Sequence, residues 1–219
     1  NIGMLLRETT GVQMQQTSLS SGNMNIRIQG LDGRYTQILK DGFPLYGGFA
    51  GGLSIMQIPP LDLKQVELIK GSSSTLYGGG AIAGLVNLIS ITPDKDPVLN
   101  LMINQTSANG TTGNLFYARK YGKTGITFYG SASDQFPYDP DNDGFSNLPR
   151  SQTYNFNPKF YFYVNTNTEL SLGFNTAFDH RKGGDMEVLK GNENDAHVFF
   201  EKNNSERYST QLSFRNTKK

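Results

Sequence analysis

The sequence predicts a small α+β unit, residues 1–92, followed over residues 93–219 by antiparallel transmembrane β-barrel strands too few to close a barrel. Three observations carry this. Up to Thr92, short apolar runs alternate with Gly, Asp-Gly and Pro-Pro punctuation. After Pro93-Asp-Lys-Asp-Pro97 the pattern becomes strict alternation of apolar and polar residues. The connections between those alternating segments are by turns short and long.

Composition narrows the class. Hydrophobic residues make up only 36%, while Gly (25), Phe (14) and Tyr (11) are plentiful, a balance that leans to β structure. A net charge of +1 implies no polyelectrolyte partner. Lys and Arg gather into no basic stretch, so nucleic acid is not indicated. The absence of cysteine excludes a disulfide framework and thiolate metal sites. No signal peptide or apolar run of about 20 residues is present. Because the chain opens on Asn1-Ile2-Gly3 without Met, an upstream segment is expected.

In the first unit, Ile2, Leu5 and Leu6 predict a short amphipathic helix stopped by Gly11. Val12–Gln16 reads as a brief strand and Ser18–Asn23 as a loop. Met24, Ile26 and Ile28 share one face of a strand. Leu31-Asp-Gly-Arg34 reads as a tight turn through its Asp-Gly pair. Thr36–Leu39 is a strand ended by Asp41-Gly42. Phe43–Gly52 is glycine-rich and aromatic. Leu53–Ile58 predicts a helical turn stopped by Pro59-Pro60. The organising stretch is Lys70–Ser90, entered from a strand over Val66–Ile69. Ser72, Ser73 and Ser74 supply capping hydroxyls for a helical turn. Gly78–Gly80 form a hinge, and Ala81–Ile89 is a second apolar run.

In the second unit, Tyr154, Phe156, Pro158, Phe160, Phe162 and Val164 alternate with Asn155, Asn157, Lys159, Tyr161 and Tyr163. Leu170–Asp179 and Tyr208–Arg215 repeat the pattern, and weaker strands fall near Val98–Gln105, Asn114–Lys120 and Gly125–Ser133, about six in all. Short turns are expected at Tyr121–Thr124 and Asn165–Thr168, and long polar loops near Asp134–Arg150 and Arg181–Ser205. A water-soluble β-sandwich also alternates. Strand length, loop asymmetry and the aromatic positions on the apolar face favour the barrel, with that face toward lipid.

Four ordered segments then bear on the choice. Asn25-Ile-Arg-Ile-Gln-Gly30, Gln37-Ile-Leu-Lys-Asp-Gly42, Gln65-Val-Glu-Leu-Ile-Lys-Gly71 and Leu76-Tyr-Gly-Gly-Gly-Ala-Ile-Ala-Gly-Leu-Val-Asn-Leu-Ile89 resemble the plug-domain motifs of TonB-dependent outer-membrane receptors, in the style of the Bacteroidetes branch. Gly30, Asp41, Gly42, Glu67, Lys70, Gly71, Leu76, Tyr77, Gly78 and Asn87 carry the match. Gln29, Lys64, Gln65 and Lys70 depart from the family's usual Arg, Glu, Arg and Arg, so the customary ion pairs between plug and barrel wall are not assumed. The resemblance implies an α+β plug domain followed by the first strands of a barrel of about 22. Six strands leave open edges, which lipid does not tolerate, so the chain is expected to be a piece of a longer receptor.

The resemblance further implies a Gram-negative outer-membrane location, lipid contact, and active uptake of a scarce small nutrient such as a ferric siderophore or cobalamin. TonB, with ExbB and ExbD, would act through an N-terminal segment upstream of Asn1. A surface lipoprotein lid is a further partner the family admits. A β-sandwich adhesin or glycan-binding module is the alternative from another class. No Ser-His-Asp order or carboxylate pair stands out, so no enzyme is indicated.

Candidate ligand contacts are Arg34, Tyr35, Tyr46 and Phe49; the competing reading is packing of the plug against the barrel. Lys70 and Tyr77 read as structural. Asp139, Asp141 and Asp143, followed by Gly144, match the first, third and fifth places of an EF-hand loop. The twelfth place is Arg150 instead of Glu. A Ca²⁺ loop completed by the Phe145 carbonyl or Asn147 stands against a solvated acidic turn. His180 and His197, with the acids of Asp179–Lys190, offer contacts for a metal chelate, although a solvated loop is the simpler reading.

Overall fold

The computed structural model describes residues 2–18, 23–45, 60–72 and 81–217. Two compact units follow one another along the chain, Asn1–Ser90 and Ile91–Lys219.

In the first unit, helix α1 (Ile2–Arg7) buries Ile2 and Leu6, an i,i+4 pair on one face. Strands β1 (Val12–Ser18) and β2 (Asn23–Ile28) pair antiparallel, Val12 opposite Ile28. Strands β3 (Thr36–Lys40), β4 (Phe43–Pro44), β5 (Leu63–Lys70) and β6 (Gly84–Ser90) form a sheet in the order β4-β3-β6-β5. The β3–β6 pair is parallel and the others antiparallel. Central β6 therefore needs apolar residues on both faces, and Leu85, Val86 and Leu88 are all buried. Leu6, Ile26, Ile28, Ile38, Val86 and Leu88 belong to one apolar cluster. Each contributes about 1.5–3 kcal/mol relative to exposure.

Two positions here demand glycine or a close equivalent. Asp41 and Gly42 take φ of 53° and 83°, the type I′ pair of a two-residue hairpin joining Lys40 to Phe43. At Gly84, φ is 153° and a Cβ would lie 2.4 Å from the Ile69 carbonyl oxygen, so no side chain fits. The expected Asp-Gly turn at Leu31–Arg34 is not a hairpin turn. That turn lies upstream at Gln29-Gly30, flanked by an Ile28–Leu31 bridge. Asp32 instead stays extended and caps a 3₁₀ turn, Gly33–Tyr35, by accepting the Arg34 N–H. A short carboxylate that finds a donor two residues on competes with the hairpin. The helical turns expected at Leu53–Ile58 and after Ser72 lie outside the described residues.

The second unit is an antiparallel meander of six strands in chain order: β7 (Val98–Gln105), β8 (Gly110–Tyr121), β9 (Thr124–Gln135), β10 (Arg150–Tyr163), β11 (Thr168–Gly184) and β12 (Phe200–Asn216). At one end the connections are 122–123 and 164–167; at the other they are 106–109, 136–149 and 185–199. Register carries one face through all six strands along Leu101, Leu115, Gly130, Phe156, Thr176 and Tyr208. That face exposes its apolar side chains, Leu101 at 69%, Ile103 at 72% and Phe214 at 69%. The opposite face buries Asn114, Thr127, Ser171, Asp179 and Arg181. A sandwich would bury Phe160, Phe162, Leu172 and Phe174; the three phenylalanines are exposed and Leu172 is half-buried. Apolar outside and polar inside is the sense of a membrane barrel wall. Both sheet edges stay open among the described residues, so the barrel is partial.

Three strands run further toward the long loops than alternation indicated. β10 starts at Arg150, β11 reaches Gly184 and β12 starts at Phe200. Residues 179–183 and 201–207 are polar on both faces, so hydropathy carries no signal there. The backbone ladder continues regardless, Gly184 opposite Phe200.

Candidate functional site

At the long-loop end, the 136–149 connection gathers three carboxylates. Oxygens of Asp139, Asp141 and Asp143 lie within 4.8 Å of one another. Gly144 donates its N–H to Asp139 Oδ2 at 3.1 Å, and Phe145 donates to Asp143 Oδ1 at 2.8 Å. Asn147 Nδ2 stands 3.5 Å from Asp141 Oδ2. Asp139 Oδ1 and Asn147 Oδ1 are buried with no hydrogen-bond donor among the described residues. Arg150, at the twelfth place, turns away: its guanidinium pairs with Asp134 and donates to the Gln135 carbonyl at 2.9 Å. The donor set is all oxygen and acidic, which suits a hard divalent cation.

The next loop is stitched to this one. Met186 N–H donates to the Gly144 carbonyl and Ser146 N–H to the Gly184 carbonyl, each at 2.9 Å. Asp185 caps the short helix α2 (Met186–Lys190) by accepting the Glu187 N–H at 2.8 Å. Its other carboxylate oxygen meets His197 Nδ1 at 2.7 Å, tying the loop's start to its end. The His197 hydrogen bond, with help from the Glu187 N–H, holds the Asp185 carboxyl below the usual range. Lys190 and then Asn192 do the same for Glu187. Between the loops lies a cleft of about 440 Å³ lined by Tyr138, Asp139, Met186, Glu187 and His197. His180 does not join His197; it sits within β11 between Gln152 and Asn204.

In the first unit, several motif residues form one polar clasp. Asn87 Nδ2 donates to Glu67 Oε2 at 2.9 Å, and Asn87 Oδ1 accepts the Gly42 N–H at 3.1 Å. Asp41 Oδ1 accepts the Ser90 N–H at 2.8 Å, and the Asp41 N–H donates to the Leu88 carbonyl at 2.9 Å. The other motif residues lie apart. Lys70 pairs with Gly84 at the far end of the sheet, where the Gly71 N–H reaches the Ala83 carbonyl. Gly30 sits in the turn after β2. Leu76, Tyr77 and Gly78 lie outside the described residues.

Of the candidate ligand contacts, Arg34 and Tyr35 are both exposed on the 3₁₀ turn, the guanidinium 6.0 Å over the Tyr35 ring. Asp32 takes the Arg34 N–H and pairs with Arg34 Nε at 3.2 Å. These two contacts, the backbone one foremost, lower the Asp32 pKa. Tyr46 and Phe49 lie outside the described residues. Sequence reasoning missed a buried ion pair, Asp179–Arg181 on the inner face of β11, and a partly buried one, Lys40–Asp62. Thr153 also donates to Asp179 at 2.8 Å. Only the alternating face of Asp179 and Arg181 hinted at the first, and nothing local hints at the second.

Comparison with known proteins places this geometry. Residues 1–85 match the family model of the TonB-dependent Receptor Plug Domain. The vitamin B12 transporter BtuB of Photobacterium profundum is 27% identical over 161 residues, 67% of this chain and 25% of that protein. BtuB of Vibrio vulnificus is 31% identical over 91 residues, 42% of this chain and 15% of that protein. The chain thus spans about a quarter or less of these relatives. Among solved structures, a ferric enterobactin receptor (PfeA) mutant from Pseudomonas aeruginosa superposes with a TM-score of 0.72 at 16% identity, covering 99% of this chain and 36% of that one. The copper transporter OprC superposes with a TM-score of 0.71 at 18% identity, over 94% and 31% respectively. A plug match that runs on into an outward-apolar strand meander places the chain in the TonB-dependent receptor family, as its plug domain and part of its barrel.

Proposed function

We propose that the receptor containing this chain takes up a scarce nutrient, a ferric siderophore or cobalamin, across the Gram-negative outer membrane. Uptake is driven by TonB with ExbB and ExbD. The single observation that carries the reading is a plug module followed directly by a strand meander whose exposed face is apolar. The plug sheet is built of strands of 2–8 residues whose central strand is tied at its edge by the exchangeable clasp of Asn87, Glu67 and Gly42. Such a unit has lower local stability than a long-stranded meander, so force applied upstream remodels it first.

Two sites belong to this reading. Arg34 and Tyr35 contact the ligand through a cation and an aromatic face, together with Tyr46 and Phe49. Asp139, Asp141 and Asp143 hold Ca²⁺, with Asn147 Oδ1 as a further oxygen; a bound cation would neutralise the acidic loop.

The test is uptake by the full-length receptor of the ligand that co-purifies with it, in cells with and without TonB. The expected result is ligand binding in both and uptake only with TonB and an intact proton gradient. Uptake that persists without TonB rejects the proposal. Arg34→Ala and Tyr35→Ala are expected to weaken binding about ten-fold each, as the loss of one charged or stacked contact does. Unchanged affinity removes these residues from the ligand site.

A further inference from the structure

Outward side chains form level rows across β10, β11 and β12. The row Tyr154, Phe178 and Glu206 ends the apolar band. One row nearer the long loops stand Gln152, His180 and Asn204. The row after that is Arg150, Lys182 and Lys202, with Arg150 directly opposite Lys182 and Lys182 directly opposite Lys202.

Directly opposed residues of an antiparallel pair bring their Cβ atoms to about 4.5–5.5 Å, and like charges so placed repel. The cost persists unless an anion meets the row. Arg150 has Asp134. Lys182 and Lys202 make no ion pair among the described residues. The other outward carboxylate nearby, Glu206, is two rows away and accepts a hydrogen bond from Tyr208 at 3.2 Å. Aromatic rings support the cations: Arg150 lies 4.4 Å from the centroid of Phe136, and Lys182 Nζ lies 4.7 Å from that of Phe200.

The height of the row identifies the occupant. Lys182 lies four residues past Phe178, about 13 Å along a strand and about 9 Å along the membrane normal at a tilt near 45°. That distance reaches from the hydrocarbon edge into the head-group layer. An amphiphile whose acyl chains cover Phe156, Phe174 and Phe178 would bring its phosphates level with the lysines. A soluble anion would have no use for that band.

We infer that Lys182 and Lys202, flanked by Arg150, bind the phosphates of an anionic outer-leaflet glycolipid of the lipid A type. The inference rests on the reading of the sheet as a membrane-spanning wall. Lysine ammonium groups form charge-assisted hydrogen bonds to phosphate without needing its plane fixed.

The test uses the full-length receptor, wild type and the K182Q/K202Q double variant, incubated in detergent with bisphosphorylated lipid A and examined by native mass spectrometry. Wild type is expected to retain the lipid. The double variant is expected to retain it at least about ten-fold less well, because it lacks two of the basic residues at the membrane surface. Lys123→Gln, at the opposite end of the sheet, is expected to retain it as wild type does. Equal retention by K182Q/K202Q overturns the assignment, as does equal retention of lipid A stripped of its phosphates. Displacement of the lipid by millimolar inorganic phosphate alone also overturns it, because the site would then recognise the free anion. Heat-modifiable electrophoretic mobility, checked on every sample, reports separately whether a barrel forms. Its absence in the wild type would sink the barrel reading itself and this inference with it.

Discussion

Asn87 and Glu67 lie directly opposite each other on β6 and β5, and their side chains meet at 2.9 Å while the same amide takes the Gly42 N–H. One side chain therefore joins β5, β6 and the β3–β4 turn. A hydrogen bond of this kind is worth about 1 kcal/mol net. Asn87→Ala is expected to raise hydrogen exchange at Gly42 and along β5 by about five-fold in the full-length receptor, as 1 kcal/mol requires. Asn87→Asp is expected to raise it further, because a second carboxylate then faces Glu67. Exchange unchanged in both variants would show that the clasp does not hold the turn.

Gly84 makes a sharper demand. Its Cβ would sit 2.4 Å from the Ile69 carbonyl oxygen, and its φ of 153° suits only glycine. Gly84→Ala must push β5 and β6 apart at the register pair Lys70–Gly84 or twist the backbone. Either costs about 2 kcal/mol or more. The expected result is a plug that loses protection over β5 and β6 in hydrogen exchange while strands β7–β12 keep theirs. Wild-type protection in β5 and β6 would refute the close approach.

The two units were legible in the sequence for different reasons. In the plug, ordered motifs revealed the family, but which residues touch was hidden. Asp41, Gly42, Glu67 and Asn87 lie far apart in the chain and meet only because β6 pairs with β3 on one side and with β5 on the other. Asp32-Gly33 misled because the capping hydrogen bond to Arg34 is a local competitor that dipeptide statistics ignore. In the wall, alternation located every strand, since one face must be apolar. It failed where neither face is: at the ends of β10, β11 and β12 the backbone ladder continues through polar residues, joined by pairs such as Asp179–Arg181 and Arg150–Asp134 that hydropathy does not report. The Arg150–Lys182–Lys202 row lies in that blind region. Its existence depends on register, which no single strand records.

The Asp185–His197 pair predicts a pH dependence. The folded pKa of Asp185 is lowered, chiefly by the His197 hydrogen bond. Its contribution is therefore fully present above its unfolded value of about 3.8 and is lost as pH falls through the lower folded value. The 185–199 loop should thus stay closed at neutral and mildly acidic pH and loosen in strong acid. Limited proteolysis with pepsin across pH 2–4 is the measurement: cleavage near His197 should rise as pH falls. His197→Ala should bring that rise to higher pH, toward the ordinary carboxylate range. A His197→Ala profile matching wild type would mean that the hydrogen bond does not close the loop.

The acidic loop yields the last prediction. Three carboxylates held within 4.8 Å repel one another, and among the described residues Gly144 and Phe145 supply the backbone donors against them. Adding Ca²⁺ to the full-length receptor is expected to give a saturable heat in calorimetry, with Mg²⁺ much weaker because it demands tighter octahedral geometry. Asp141→Asn removes one charge while keeping an oxygen in place, and is expected to weaken binding at least about ten-fold. Arg150→Glu, which places a carboxylate at the twelfth position, should not rescue it, because Arg150 is directed to Asp134 and the Gln135 carbonyl. Identical heats for wild type and Asp141→Asn would reduce the cluster to a solvated turn.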